Sequence, residues 1–173
     1  LAHRIGGPSV FPAIPPDVAA QSFANNFQWK VSKGPDRYRR GMYTFFKRTA
    51  PAPNLVTFDC PDSNTSITRR NISNTPLMAL ATLQNEVFHE AARALARRIH
   101  ADTTLQSDME RVDRLYRLTL ARSPSATERG IVIKLLADNR AHYRAHPGAA
   151  RELCKEENAE LAAWTATVRI VTN

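Results

Sequence analysis

From Thr75 onward the sequence offers little but helix, and this limits the fold more than any other feature. Thr75 before Pro76 has the N-cap and first-turn pattern, and Leu77, Leu80, Gln84, Val87, Ala91, Leu95 and Ile99 then hold one stripe at helical spacing. Arg93, Arg97 and Arg98 fall near the end of that stripe, where cations suit the helix dipole. Two capping boxes follow. Ser107-x-x-Glu110 opens a helix with Met109, Val112, Leu115, Tyr116 and Leu118, ending before Pro124. Ser125-x-x-Glu128 opens the next, with Ile131, Val132, Leu135, Leu136 and Tyr143. His146-Pro147 stops it, a short helix runs from Pro147 to Lys155, and a last one from Asn158 to Val171 carries Leu161, Trp164, Val168 and Val171 on one face. Short loops between these helices imply antiparallel neighbours.

The first third is written differently. Leu1 to Pro16 holds two glycines and four prolines, which excludes a regular helix or a central strand. Gly6-Gly7-Pro8 reads as a turn, with Val10 and Phe11 as apolar plugs. Gln21 to Val31 has room for one or two helical turns around Phe23, Phe27 and Trp29. After the turn at Lys33 to Asp36, Met42, Thr44 and Phe46 alternate with Tyr43, Phe45 and Lys47, which fits a strand over Arg37 to Thr49, or else a short helix. Ala50-Pro51-Ala52-Pro53 forces extended backbone, a new element starts at Asn54, and Asp59 to Ser66 is a loop with Asp62, Ser63 and Asn64 as turn formers. The expected fold is therefore mainly α: an irregular, Pro-rich, basic segment over 1–73, with room for a short strand pair, and a helical bundle over 74–173. Together they read as one domain, with Trp29 and Trp164 in core positions.

Composition narrows the function classes. A chain of 173 residues with 43% hydrophobic side chains can bury a core. No apolar run reaches membrane-spanning length, and no basic stretch followed by an apolar one marks an export signal; opening on Leu1, the chain reads as a fragment or processed product. Cys60 and Cys154 form no CxxC or CxxCH, which excludes a zinc knuckle or covalently attached haem within these residues, and leaves open one bridge or two buried thiols. The net charge of +8 is concentrated early. Residues 1–50 carry eight Lys/Arg against Asp17 and Asp36, whereas fourteen Lys/Arg face twelve Asp/Glu after Thr75. An anionic partner near the first half suits this, as does a basic surface that only confers solubility.

The candidate site lies in Tyr38 to Leu83. Asp59, Asp62, Arg69, Arg70, Asn74 and Thr75 stand there, with Arg39, Arg40, Tyr43, Lys47 and Arg48 before them. Guanidinium forks take sulfate, phosphate or carboxylate through paired bonds, an aromatic ring stacks on a sugar or base, and the helix start at Pro76 adds backbone donors. The same residues also suit a latch in which Asp59 and Asp62 pair with arginines to hold loops. Other readings are thinner: Asp59 and Asp62 as an acid/base pair, calcium at Asp59, Asp62 and Asn64 without EF-hand spacing, and His142 with His146 as metal ligands lacking a third partner. No metal is assigned.

The stretches GGPSV, YRRGMYTFFKRTAPAP, FDCPDSNTS, RRNISNTPLMAL, FHEAARALARRI, LYRLTLARSPSATE and LAAWTATVRIVTN, in that order, resemble the C-terminal domain of planctomycete cytochrome-associated proteins, the domain of unknown function family 1553. The resemblance covers nearly the whole chain, departing at Met78 and Gln84, where Gln and Asn are usual. It implies a large, exported parent protein, an extracytoplasmic setting, and a c-type haem in an upstream domain, with His3 or His89 as a distal contact. No cofactor is expected within this chain. The function expected is recognition or assembly through the Arg-rich surface, with an anionic polysaccharide or the parent's upstream domains as partner. The alternative is part of a carbohydrate-processing or redox enzyme whose site is shared with those domains, so enzymatic activity stays open. Nucleic acid is disfavoured, since no recognition-helix or RNA motif accompanies the charge.

Overall fold

The computed structural model describes residues 1–15, 28–48, 51–62 and 64–173. Among them are seven α-helices: α1 (Pro53–Thr57), α2 (Pro76–Gln84), α3 (Glu86–His100), α4 (Asp108–Leu120), α5 (Ala126–Ala145), α6 (Pro147–Cys154) and α7 (Ala159–Val171). They belong to two compact units, Leu1–Ala81 and Thr82–Asn173, whose boundary falls within α2.

The first unit is mostly irregular, because its prolines remove donors a ladder needs and its left-handed turns break the extended backbone. Gly6 and Gly7 have φ of 76° and 98°, a region side chains avoid, and they turn the N-terminal segment back on itself. Val10 then exchanges backbone bonds with the segment after Arg40: its N–H donates to Tyr43 O at 2.8 Å, and Phe45 N–H donates to Val10 O at 2.8 Å. This is one isolated parallel bridge, Val10 with Thr44, and no strand forms among the described residues. The strand expected over Arg37 to Thr49 is corrected to two 3-10 turns, Gly34–Tyr38 and Gly41–Tyr43, followed by that bridge. Pro8 and Pro12 flank Val10 and have no N–H to extend the pairing. The core of this unit is small and aromatic. Trp29 and Ala52 are buried at its centre, and Phe11 meets Trp29 edge-on at 5.2 Å and stacks on Phe45 at 5.0 Å between ring centroids. The helical turns expected over Gln21 to Val31 and the turn residue Ser63 lie wholly or partly outside the described residues.

The second unit is a bundle built on α7, which packs chiefly against α5 and α3. Trp164 is fully buried on α7, among Ile99 of α3, Val112 and Leu115 of α4, and Leu136 of α5. Both capping boxes form reciprocally: Ser107 and Glu110 at the start of α4, Ser125 and Glu128 at the start of α5. The stripe from Leu77 to Ile99 is not one helix. Asn85 is extended (φ −75°, ψ 133°) and its side chain accepts from Val87 N–H, so α3 starts afresh with its own cap. The inward phase changes with it: Ala92, Ala96 and Ile99 are buried, while Ala91 is exposed and Leu77 is 61% exposed. Arg140 ties the bundle's polar edge together, bonding Asp108 Oδ1 at 2.9 Å and Glu160 Oε2 at 2.9 Å. Its guanidinium holds the Asp108 carboxyl below the usual carboxylate range; at Glu160 burial pulls upward, and the bonds from Arg140 outweigh it. Both cysteines are free thiols. No helix among the described residues is long and apolar enough to cross a membrane.

Candidate functional site

The basic pair Arg39-Arg40 is divided by the turn it sits in. Arg39 is 7% exposed, with its guanidinium donating to Gly6 O at 2.6 Å and Arg4 O at 3.0 Å, and with its carbon 3.7 Å from the Tyr43 ring centroid. It is thus spent on holding the N-terminal glycine turn. Tyr43 completes the clasp by accepting from Gly6 N–H at 3.0 Å. That bond, then the one from Arg40, moves the phenol below its ordinary pKa. Arg40 itself is exposed beside the same ring, 5.7 Å from its centroid. Arg48 is exposed and Lys47 half-buried.

The second half of the expected site also sorts into holders and exposed groups. Asp59 has a left-handed backbone (φ 56°) at the end of α1. Its carboxylate accepts from Ser73 N–H at 2.8 Å and from Ser73 Oγ at 2.8 Å. Arg70 closes the same loop from the other side, donating to Phe58 O at 3.0 Å and Asp59 O at 3.3 Å. A latch therefore exists, but Ser73 takes the carboxylate and Arg70 takes carbonyls. Asp62 makes a local turn, accepting from Asn64 N–H at 3.0 Å, the bond that lowers its pKa. Asp62 is thus engaged within its own turn and Asp59 with Ser73 fourteen residues on, while Arg69 and Asn74 are exposed. Thr75 caps α2, its Oγ1 accepting from Met78 N–H at 3.3 Å.

A second arrangement lies wholly in the helical unit, and sequence reasoning missed it. An open cleft of about 560 Å³ is lined by residues that include His89, Arg93, Tyr143, Lys155 and Arg169. These come from helices far apart in the chain, so no local spacing announces them. His142 and His146 do meet, with rings stacked at 4.6 Å, but His146 Nδ1 bonds the His142 carbonyl at 2.9 Å as part of the helix end. No group of three or more His, Cys, Asp or Glu gathers as a metal cage among the described residues. The sequence has no CxxCH for covalent haem attachment, and His89 Nε2 is engaged with the Leu83 carbonyl at 2.8 Å.

No curated protein and no solved structure matches the chain. Residues 1–136, a range that enters both units, match the family described as PSD1, protein of unknown function (DUF1553), and the chain belongs to that family.

Proposed function

We propose that this chain is a recognition module that binds an anionic polysaccharide through the exposed basic side chains of its first unit. The observation that carries this is the division of labour above. Asp59 and Asp62 accept from Ser73 and Asn64 rather than from the exposed arginines Arg40, Arg48 and Arg69, whose guanidinium groups are not tied up by these two carboxylates. Arg40 beside the Tyr43 ring pairs an oxyanion fork with an aromatic surface, the combination suited to a charged sugar. The extracytoplasmic setting, the cytochrome association and the planctomycete origin rest on the resemblance alone, and all three agree with a secreted or periplasmic polysaccharide as ligand.

The test is binding of the chain to a sulfated polysaccharide, a uronic-acid polysaccharide and duplex DNA, compared at about 50 and 200 mM salt. Preference for one sugar polymer that survives the higher salt is the expected result. Equal binding to all three, lost together as salt rises, would reduce the interaction to net charge and sink the reading.

A further inference from the structure

The cleft in the helical unit is not used by the reading above. Its volume of about 560 Å³ lies within the ~300–1,000 Å³ typical of small-molecule sites. Its cations are Arg93 of α3, Lys155 at the end of α6 and Arg169 of α7, set against Glu86 and Glu152.

Arg169 and His89 both donate to a single acceptor, the Leu83 carbonyl, at 2.8 Å each. Since a carbonyl only accepts, His89 carries its proton on Nε2, and Arg169 is anchored by one terminal nitrogen. Its Nε is nevertheless buried without a hydrogen-bond partner, and so is the Nε of Arg93. A buried N–H with no acceptor is costly, and Arg93 and Arg169, two of the four arginines with such an Nε among the described residues, both line this cleft. With Nε covered, the terminal nitrogens are the part of each guanidinium left to grip two oxygens of a carboxylate or phosphate. Tyr143 and Leu153 supply apolar wall beside these donors.

We propose that this cleft binds a small ligand bearing one oxyanion group, a carboxylate or a phosphate, on a compact ring-sized body, with Arg93 and Arg169 gripping the oxyanion. Lys155 adds charge without fixing geometry, and Glu152 disfavours ligands with several anionic groups. All of its lining residues belong to the second unit, and none is an exposed arginine of the first.

The experiment is an NMR titration of the whole chain with inorganic phosphate, glucuronate and uncharged glucose. Phosphate and glucuronate should give saturable shifts at His89, His142 and Arg169, and glucose none. Arg93→Gln should weaken both anions about tenfold or more, with its melting temperature retained. Should Arg93→Gln fold poorly, Lys155→Asn, which suits the left-handed turn at Lys155 (φ 63°), is read instead and should weaken both anions. Arg40→Ala/Arg48→Ala/Arg69→Ala should leave the shifts at His89, His142 and Arg169 unchanged. The proposal is overturned by shifts that do not saturate, by wild-type affinity in the cleft variant that folds, or by loss of those shifts in the first-unit triple variant.

Discussion

Arg39 and Arg40 are neighbours with opposite uses, and the reason is one glycine turn. Gly6 and Gly7 at positive φ bring the carbonyls of Arg4 and Gly6 within reach of a single guanidinium, and Arg39 occupies that place while Arg40 stays exposed. A bond from a charged donor to a part-buried carbonyl is worth more than a neutral one, and removing the donor strands the acceptor. Arg39→Ala should therefore lower unfolding free energy by about 1–3 kcal/mol in a denaturant titration. An unchanged midpoint would mean that the clasp contributes nothing. In sequence the two arginines look equivalent, because what separates them is contact with residues more than thirty positions away. The same holds for Asp59, whose partner Ser73 lies fourteen residues on and was hidden among more conspicuous arginines.

At the scale of elements, local chemistry was legible wherever it acts within one turn. Both capping boxes, the Thr75 cap and the short helix opened by Pro147 form as their spacing implies. The break at Asn85 was missed because the apolar spacing from Leu77 to Ile99 runs on in phase, although Asn is among the best N-caps and is followed by Glu86 in the first turn. Glu128 offers a pH test of a cap. Its bond with Arg122, then the Ser125 N–H, lowers its pKa from 4.5 to about 2 in the folded chain. A depressed folded value means that this stabilisation is present above the unfolded value of 4.5 and is lost as pH falls through about 2. Glu128→Gln should thus melt below the wild type at neutral pH, the gap closing across that window; a gap independent of pH would contradict the assignment. The expected strand failed for a non-local reason: alternation at Met42 to Lys47 was present, but the segment opposite it is punctuated by Pro8 and Pro12.

For the whole molecule, helical content and the family were both readable, because each depends on patterns carried along the chain. The cleft was not, since its lining runs from Gln84 to Arg169 and is assembled only when α3, α5, α6 and α7 pack. The central claim is that some basic side chains of the first unit hold the fold and others face a ligand. It is tested most directly by measuring affinity for a sulfated polysaccharide together with melting temperature, in Arg40→Ala/Arg48→Ala/Arg69→Ala and in Arg70→Ala. The triple variant should lose most binding and melt as the wild type does, whereas Arg70→Ala should cost about 1 kcal/mol of stability by releasing the carbonyls of Phe58 and Asp59. A triple variant that binds like the wild type would contradict the account.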